Sequence, residues 1–230
     1  SLILLKLRQK FFPTIPAWNV FICIPLIGLI LPILWSINIP DVYEAAIGAG
    51  QFFLIGGFYF VLSAFEQDSF IDKQKLFWAG LFWACSVGSR AINTLSVIFL
   101  AAFVALWITI LPKPVNWAKY LQTILPLFIP LAIGAIAIGW YNWARFDSPL
   151  EFGLRYQITI YNLNKQMELV FKPDYFLPNL YGYILQPFEF ISKFPFIQPI
   201  TGSGILNKLN LAPPYLYAAG RVTGLLFCAP

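Results

Sequence analysis

Histidine is absent from the 230 residues. Its absence excludes His-ligated zinc, a Ser-His-Asp triad and haem held by an imidazole. Methionine occurs once, at Met167, and cysteine three times. Cys23, Cys85 and Cys228 each lie in an apolar run, so they read as small buried hydrophobes rather than a disulfide framework or metal cage. Charge is scarce too: Asp, Glu, Lys and Arg make up 11% of the chain, against about 25% in soluble domains. Apolar residues take their place, at 59% of the sequence with 23 Phe and 8 Trp, and mean hydropathy is +0.73. A soluble globule of this size cannot hide so much apolar surface, and the same composition excludes disorder. The sequence predicts an all-α, polytopic transmembrane helical bundle with the lipid bilayer as its partner and solvent.

The chain opens on Ser1 and stops at Pro230, as a new apolar run (Leu225, Leu226, Phe227) begins. We therefore expect an excerpt of a longer protein, with 225–230 starting a further span. Lys6, Arg8 and Lys10 precede an apolar stretch over 18–38, too long for a signal-peptide core of about 7–15 residues. Pro25 and Pro32 should kink it, which lipid-embedded helices tolerate. A second span is expected over 45–65, where Ala46 and Gly50 stand four apart and permit close helix packing. Gly48-Ala49-Gly50 is not a dinucleotide loop, because Phe53 holds the third glycine position and no strand precedes it.

From Leu76 to Leu111 the chain is apolar except for Arg90. About 36 residues of helix would measure about 54 Å, too long for one crossing of a core about 30 Å thick. A break at Arg90 gives a short helix over 76–89 and a full span over 92–111. A fifth span covers 121–143, with Pro126 and Pro130 in its first half. Residues 144–224 mix charges, prolines and aromatics, too aromatic for a disordered tail and too polar to span. They predict a long extramembrane or interfacial loop with short helices at the headgroups. Basic residues number seven on the N-terminal side of the spans and one, Arg90, on the other. The positive-inside rule then places the N-terminus in the cytoplasm and the 144–224 loop outside, provided that 76–111 crosses twice.

Several residues could carry chemistry. Arg90 in mid-membrane is costly, about 2.5–3.5 kcal/mol on insertion scales. It could bind a lipid phosphate with its planar fork, or it could cap helix ends or pair with a carboxylate. Asp41 and Glu44, three apart at the mouth of the second span, could do acid–base work or hold a divalent metal. The simpler reading is that they complement the helix dipole and cap free N–H groups. The most distinctive stretch runs from Tyr141 to Gln157, with Arg145, Asp147, Glu151 and Arg155 among aromatics around an Asp147-Ser148-Pro149 turn. It could form an ion network that recognises phosphate or sugar, or it could anchor the loop at the headgroups.

The Tyr141-Asn142-Trp143-Ala144-Arg145-Phe146 run, with Ser148-Pro149 and Glu151-Phe152-Gly153 behind it, resembles bacterial membrane proteins of the GT-C type. These are polytopic, dolichyl-phosphate-mannose-protein-mannosyltransferase-like glycosyltransferases. Gly88-Ser89-Arg90 and the Glu44-to-Gly50 helix start are similar to patterns in the same proteins, and the likeness covers residues 40–160. The resemblance implies transfer of a sugar from a polyprenyl-phosphate-linked donor on the outer face of a bacterial inner membrane. It also implies a catalytic acid in the first outer loop, which maps onto no residue here. Arg90, Arg145 and Arg155 would then be candidates for the leaving phosphate, and no cofactor beyond a divalent metal is implied.

A transporter or flippase is the main alternative, since broken, proline-kinked helices and an intramembrane Arg also mark transport sites. No inverted repeat is evident, and a long outer loop suits an enzyme better. A non-catalytic membrane scaffold is the third reading. Nucleic acid is not an expected partner: the net charge of +5 is spread along turns and forms no basic stripe. Contact with anionic headgroups explains it better.

Overall fold

The computed structural model describes residues 2–28, 42–66, 71–110, 116–156, 173–193, 196–201 and 221–228. The chain forms two compact units, one of residues 1–29 and 33–152 and the other of residues 30–32 and 153–230. The first unit is helical: α1 (Leu2–Phe11), α2 (Trp18–Gly28), α3 (Val42–Ala64), α4 (Lys73–Ser89), α5 (Asn93–Ile110) and α6 (Trp117–Phe146). Of the apolar stretch 18–38, α2 covers the first part, and residues beyond Gly28 lie outside the described residues.

Helix boundaries follow local chemistry. Asp72 caps α4, its carboxylate accepting from the backbone N–H groups of Gln74 (3.0 Å) and Lys75 (3.3 Å). Asn116 caps α6 in the same way through Ala118 N–H at 3.4 Å. The apolar run 76–111 is divided at Arg90, which ends α4 in an extended conformation. Three residues later α5 begins at Asn93. Helix α6 runs unbroken through Pro126 and Pro130 for 30 residues. Each proline donates no bond to the carbonyl four residues back, that of Gln122 or Pro126. At its far end Asp147 takes the left-handed conformation (φ 54°), which Asp tolerates better than most residues, and returns its N–H to Trp143 O at 2.9 Å.

The contacts fix helix direction. Along α3 and α4 the partners progress from Ser63 with Lys75, through Leu54 with Trp83, to Gly50 with Ser86, so the two are antiparallel. Helix α5 starts beside Ser86, to which Asn93 bonds, and its far part meets the start of α6, where Tyr120 Oη donates to Ala105 O. The four long helices thus alternate in direction. One end of the unit carries Glu66, Asp72, Lys73, Lys75 and Lys119, and the opposite end carries Glu44, Arg90 and Arg145. We call them the lysine end and the arginine end.

Helix α4 is the packed centre. Leu76, Ala79 and Trp83 are fully buried there and join Val97, Ala101, Val104 and Ile108 of α5 in one core, with Ile124 and Leu127 of α6. The α5 positions recur at helical spacing, one face of a helix. Glycines set the approach of the backbones: a Cβ at Gly57 would overlap the Trp83 indole, and one at Gly80 would overlap the Leu127 carbonyl. Small residues at such seams let helices pack where no hydrophobic effect drives them together.

Among the described residues, three helical segments, Glu44–Ala64, Asn93–Ile110 and Trp117–Phe146, are long and apolar enough to cross a membrane. Their outward faces are apolar: Leu95 is 75% exposed, Phe99 73% and Ile136 72%. This is compatible with a membrane protein.

The second unit corrects the all-α expectation. Besides α7 (Phe176–Leu185) and the single turn α8 (Leu225–Cys228), its described residues hold three short strands, β1 (Phe188–Phe190), β2 (Ile197–Thr201) and β3 (Arg221–Val222). The antiparallel sheet has the order β1-β2-β3. Phe188-Glu189-Phe190 alternates with period two, and Gln198 opposite Glu189 donates to its carboxylate at 3.1 Å. Pro199 is admitted because β2 pairs with β1 through 197–199 and with β3 only through 200–201, so one edge of the proline is open. Gln186 pins the unit together. Its side chain donates to Ile200 O (3.2 Å), and its carbonyl accepts from Gly224 N–H (2.7 Å). The strands are too short and mixed for a period-two signal to stand out from the aromatic-rich stretch 144–224.

Candidate functional site

The arginine end gathers most of the residues singled out from sequence. Arg90 leaves α4 with its backbone N–H on Ser86 O at 3.0 Å. Its aliphatic stem lies against Gly50, where a Cβ would come within 3.3 Å of Arg90 Cγ. Beside it runs a buried polar relay. Asn93 Nδ2 donates to Ser86 Oγ (3.0 Å), and Ser86 Oγ donates to Gly50 O (2.8 Å). Ser86 is fully buried. The break in the apolar run is therefore stitched to the first half of α3 by side-chain hydrogen bonds, and Gly50 is small because Asn93 and Arg90 occupy the space. Glu44 lies in the first turn of α3, half-buried. Asp41, its expected partner, lies outside the described residues.

Arg145, in the last turn of α6, donates from Nη1 to Tyr141 Oη at 2.6 Å. Its guanidinium also lies over the rings of Tyr141 (5.2 Å) and Phe146 (4.9 Å). Those partners are local to its own helix end, and Asp147 serves as the helix cap. Glu151 follows in a turn, its N–H on Ser148 O. Asn142, 4% exposed, donates to Pro149 O at 3.3 Å and folds the 147–150 turn back onto α6. A Cβ at Gly139 would meet Pro149 at an ordinary contact distance of 3.7 Å. The Asn-Trp-Ala-Arg-Phe-Asp-Ser-Pro stretch thus carries its own structural logic: a buried amide that holds the turn and a left-handed cap. Arg155 belongs to the second unit, in the short 3-10 turn Leu154–Tyr156. Among the described residues, no three His, Cys, Asp or Glu side chains come together as a metal would need. Cys23 and Cys85 are free thiols.

The lysine end holds a feature that the sequence reading passed over. Helix α1 docks there through Lys6, which bridges to Glu66 at 2.6 Å and lies over the Tyr59 ring at 5.4 Å. One turn on, Lys10 Nζ donates to Phe65 O at 2.8 Å. The Lys6 ammonium, bonded to Glu66, holds that carboxyl below the usual carboxylate range. Partial burial works against it, and the charges of Lys75 and Lys10 add to it. Between α1, α3 and α5, with Trp83 at its back, opens a cleft of about 530 Å³. Its mouth carries Lys6, Lys10 and Glu66, and its walls are apolar, including Phe103 and Trp107 with rings stacked 6.0 Å apart. Lys6 and Lys10 stand four apart on a leucine-rich segment, one turn of a helix. Their partner at Glu66 lies 60 residues away in sequence, and no local pattern connects the two.

Compared with known proteins, the chain matches no family model, no curated protein and no solved structure.

Proposed function

We propose that the chain is the polytopic, membrane-embedded part of a GT-C-like glycosyltransferase that moves a sugar from a polyprenyl-phosphate donor. One observation supports it above the others. Alternation of helix direction puts Glu44, the stitched break at Arg90 and the Arg145–Glu151 segment at one end of the helical unit. Transfer from a lipid phosphate needs a base that takes the acceptor's hydroxyl proton and cations that stabilise the phosphate as the sugar–oxygen bond breaks. Carboxylates and guanidiniums at one helix end are the required kinds of group. The lysines at the other end fit a cytoplasmic face by the positive-inside rule, which leaves the arginine end outside, where a sugar acceptor would be met.

The test uses the protein in proteoliposomes with a radiolabelled polyprenyl-phosphate sugar. Turnover of the sugar lipid is expected, with Arg90→Ala losing on the order of 10²-fold, as for other removed donors at a developing anion. A normally folded Arg90→Ala protein with full turnover would refute the role of Arg90. Movement of the intact sugar lipid between leaflets without cleavage would replace the transferase by a flippase.

A further inference from the structure

We propose that the cleft at the lysine end binds an anionic phospholipid, with its phosphate at Lys6 and Lys10 and an acyl chain laid between α3 and α5. The proposal rests on the membrane setting of the helices, and it is independent of any sugar transfer.

Three features of the cleft select this occupant. The first is its polarity gradient. The charged groups stand at the mouth, at the helix ends, while Phe58, Trp83 and Leu100 line its inner part. From Ala64, where α3 ends, back to Phe58 is six residues, about 9 Å of helix. The cleft therefore runs along the helix axes with its charged end at the headgroup level and its apolar end toward mid-helix. That is the orientation of a lipid in the same leaflet.

The second feature is charge. Two ammoniums face one carboxylate at the mouth, leaving a positive excess. Glu66 and the Phe65 carbonyl each take one bond from a lysine and hold it in place. An ammonium has three donors, so both lysines keep N–H groups for a phosphate. Basic pockets between helices on the cytoplasmic side are a recurrent way of holding anionic headgroups. The third feature is the wall chemistry. Free phosphate would gain nothing from the stacked Phe103 and Trp107 rings, whereas an acyl chain buries against them. A volume of about 530 Å³ lies within the range of ligand pockets, about 300–1,000 Å³.

The experiment reads contact between lipid and Trp107. The full chain is placed in mixed micelles with phosphatidylglycerol or phosphatidylcholine carrying brominated acyl chains, which quench tryptophan on contact. The Trp107→Phe protein supplies the background to subtract. Half-maximal quenching of the Trp107 signal is expected at a severalfold lower mole fraction of phosphatidylglycerol than of phosphatidylcholine. Lys6→Gln/Lys10→Gln should erase that preference. Lys73→Gln/Lys119→Gln removes equal charge from the same end but away from the cleft, and should keep it. Leu62→Trp, measured by native mass spectrometry of retained lipid, fills the cleft with both lysines intact and should lose the bound phosphatidylglycerol. Equal quenching by both lipids, no quenching of Trp107, or a preference that survives Lys6→Gln/Lys10→Gln would overturn the proposal. So would inorganic phosphate displacing the lipid at comparable concentration, because the acyl chain would then contribute nothing.

Discussion

At the scale of single residues, glycine and lysine carry the most testable content. Gly57 faces the Trp83 indole, whose Nε1 donates to Leu54 O at 3.1 Å. Gly57→Ala forces the indole away from both contacts, and overpacking of this kind costs about 1–3 kcal/mol. Unfolding of the purified protein in detergent should show that loss, whereas Gly48→Ala, with open space around its Cβ, should not. Glu66 offers a second test. Its folded carboxyl is held below the ordinary range chiefly by the Lys6 hydrogen bond. A lowered folded value means that the pair's contribution is complete above the ordinary carboxylate range and is lost as pH falls through the lowered value. Lys6→Ala should return the Glu66 midpoint upward, readable by carboxyl-carbon NMR titration. An unchanged midpoint would mean that the pair does not persist in solution. Because both groups are partly exposed, salt should weaken it.

At the scale of elements, the break at Arg90 and the end of α6 are the two places where the sequence looked most like chemistry. Both are also joints between elements. Length arithmetic located the first, since 36 apolar residues exceed one crossing and only Arg90 interrupts them. What holds the joint, the Gly50–Ser86–Asn93 relay, was not legible, because residues 36 apart in the chain must meet for Ser86 to bond Gly50. Ser86→Ala removes the side-chain donor to the buried Gly50 carbonyl and one acceptor of the Asn93 amide, a cost of about 1–3 kcal/mol. That cost should appear as lowered thermal stability with the helix content retained. At the end of α6, Asn142→Ala should free the 147–151 turn without melting the helix. Hydrogen exchange of residues 147–151 is expected to quicken while that of 127–138 does not change. Uniform acceleration along α6 would show that Asn142 supports the whole helix rather than the turn. The same scale exposes the limit of periodicity. Three strands of two to five residues gave no alternation long enough to outweigh the aromatic background, so residues 144–224 read as a long loop with short helices.

At the scale of the whole molecule, the question is what covers the apolar faces of α3, α5 and α6. If bilayer covers them, alternation of helix direction demands that the lysine and arginine ends lie on opposite sides. In a protein whose own cysteines are replaced, a single cysteine near Asn179 should react with an impermeant thiol reagent on intact cells. One at Gln74 should react only after permeabilisation. The reverse pattern would invert the orientation inferred from the basic residues, and labelling of both from outside would remove the membrane crossing altogether.

Composition alone decided that the chain is largely helical and rich in helices long and apolar enough to cross a membrane. Fifty-nine per cent apolar residues with 11% charged leave few other solvents than lipid. Local sequence also decided the caps at Asp72 and Asn116, since a carboxylate or amide two residues before free N–H groups acts over a single turn. Only the tertiary structure decided that α4 is the buried centre, that Arg90 and Asn93 pack on Gly50, and that Lys6 reaches Glu66 to frame a cleft. Each of these depends on contacts between residues distant in the chain, and their energy is set by shape and hydrogen-bond geometry that no local pattern encodes.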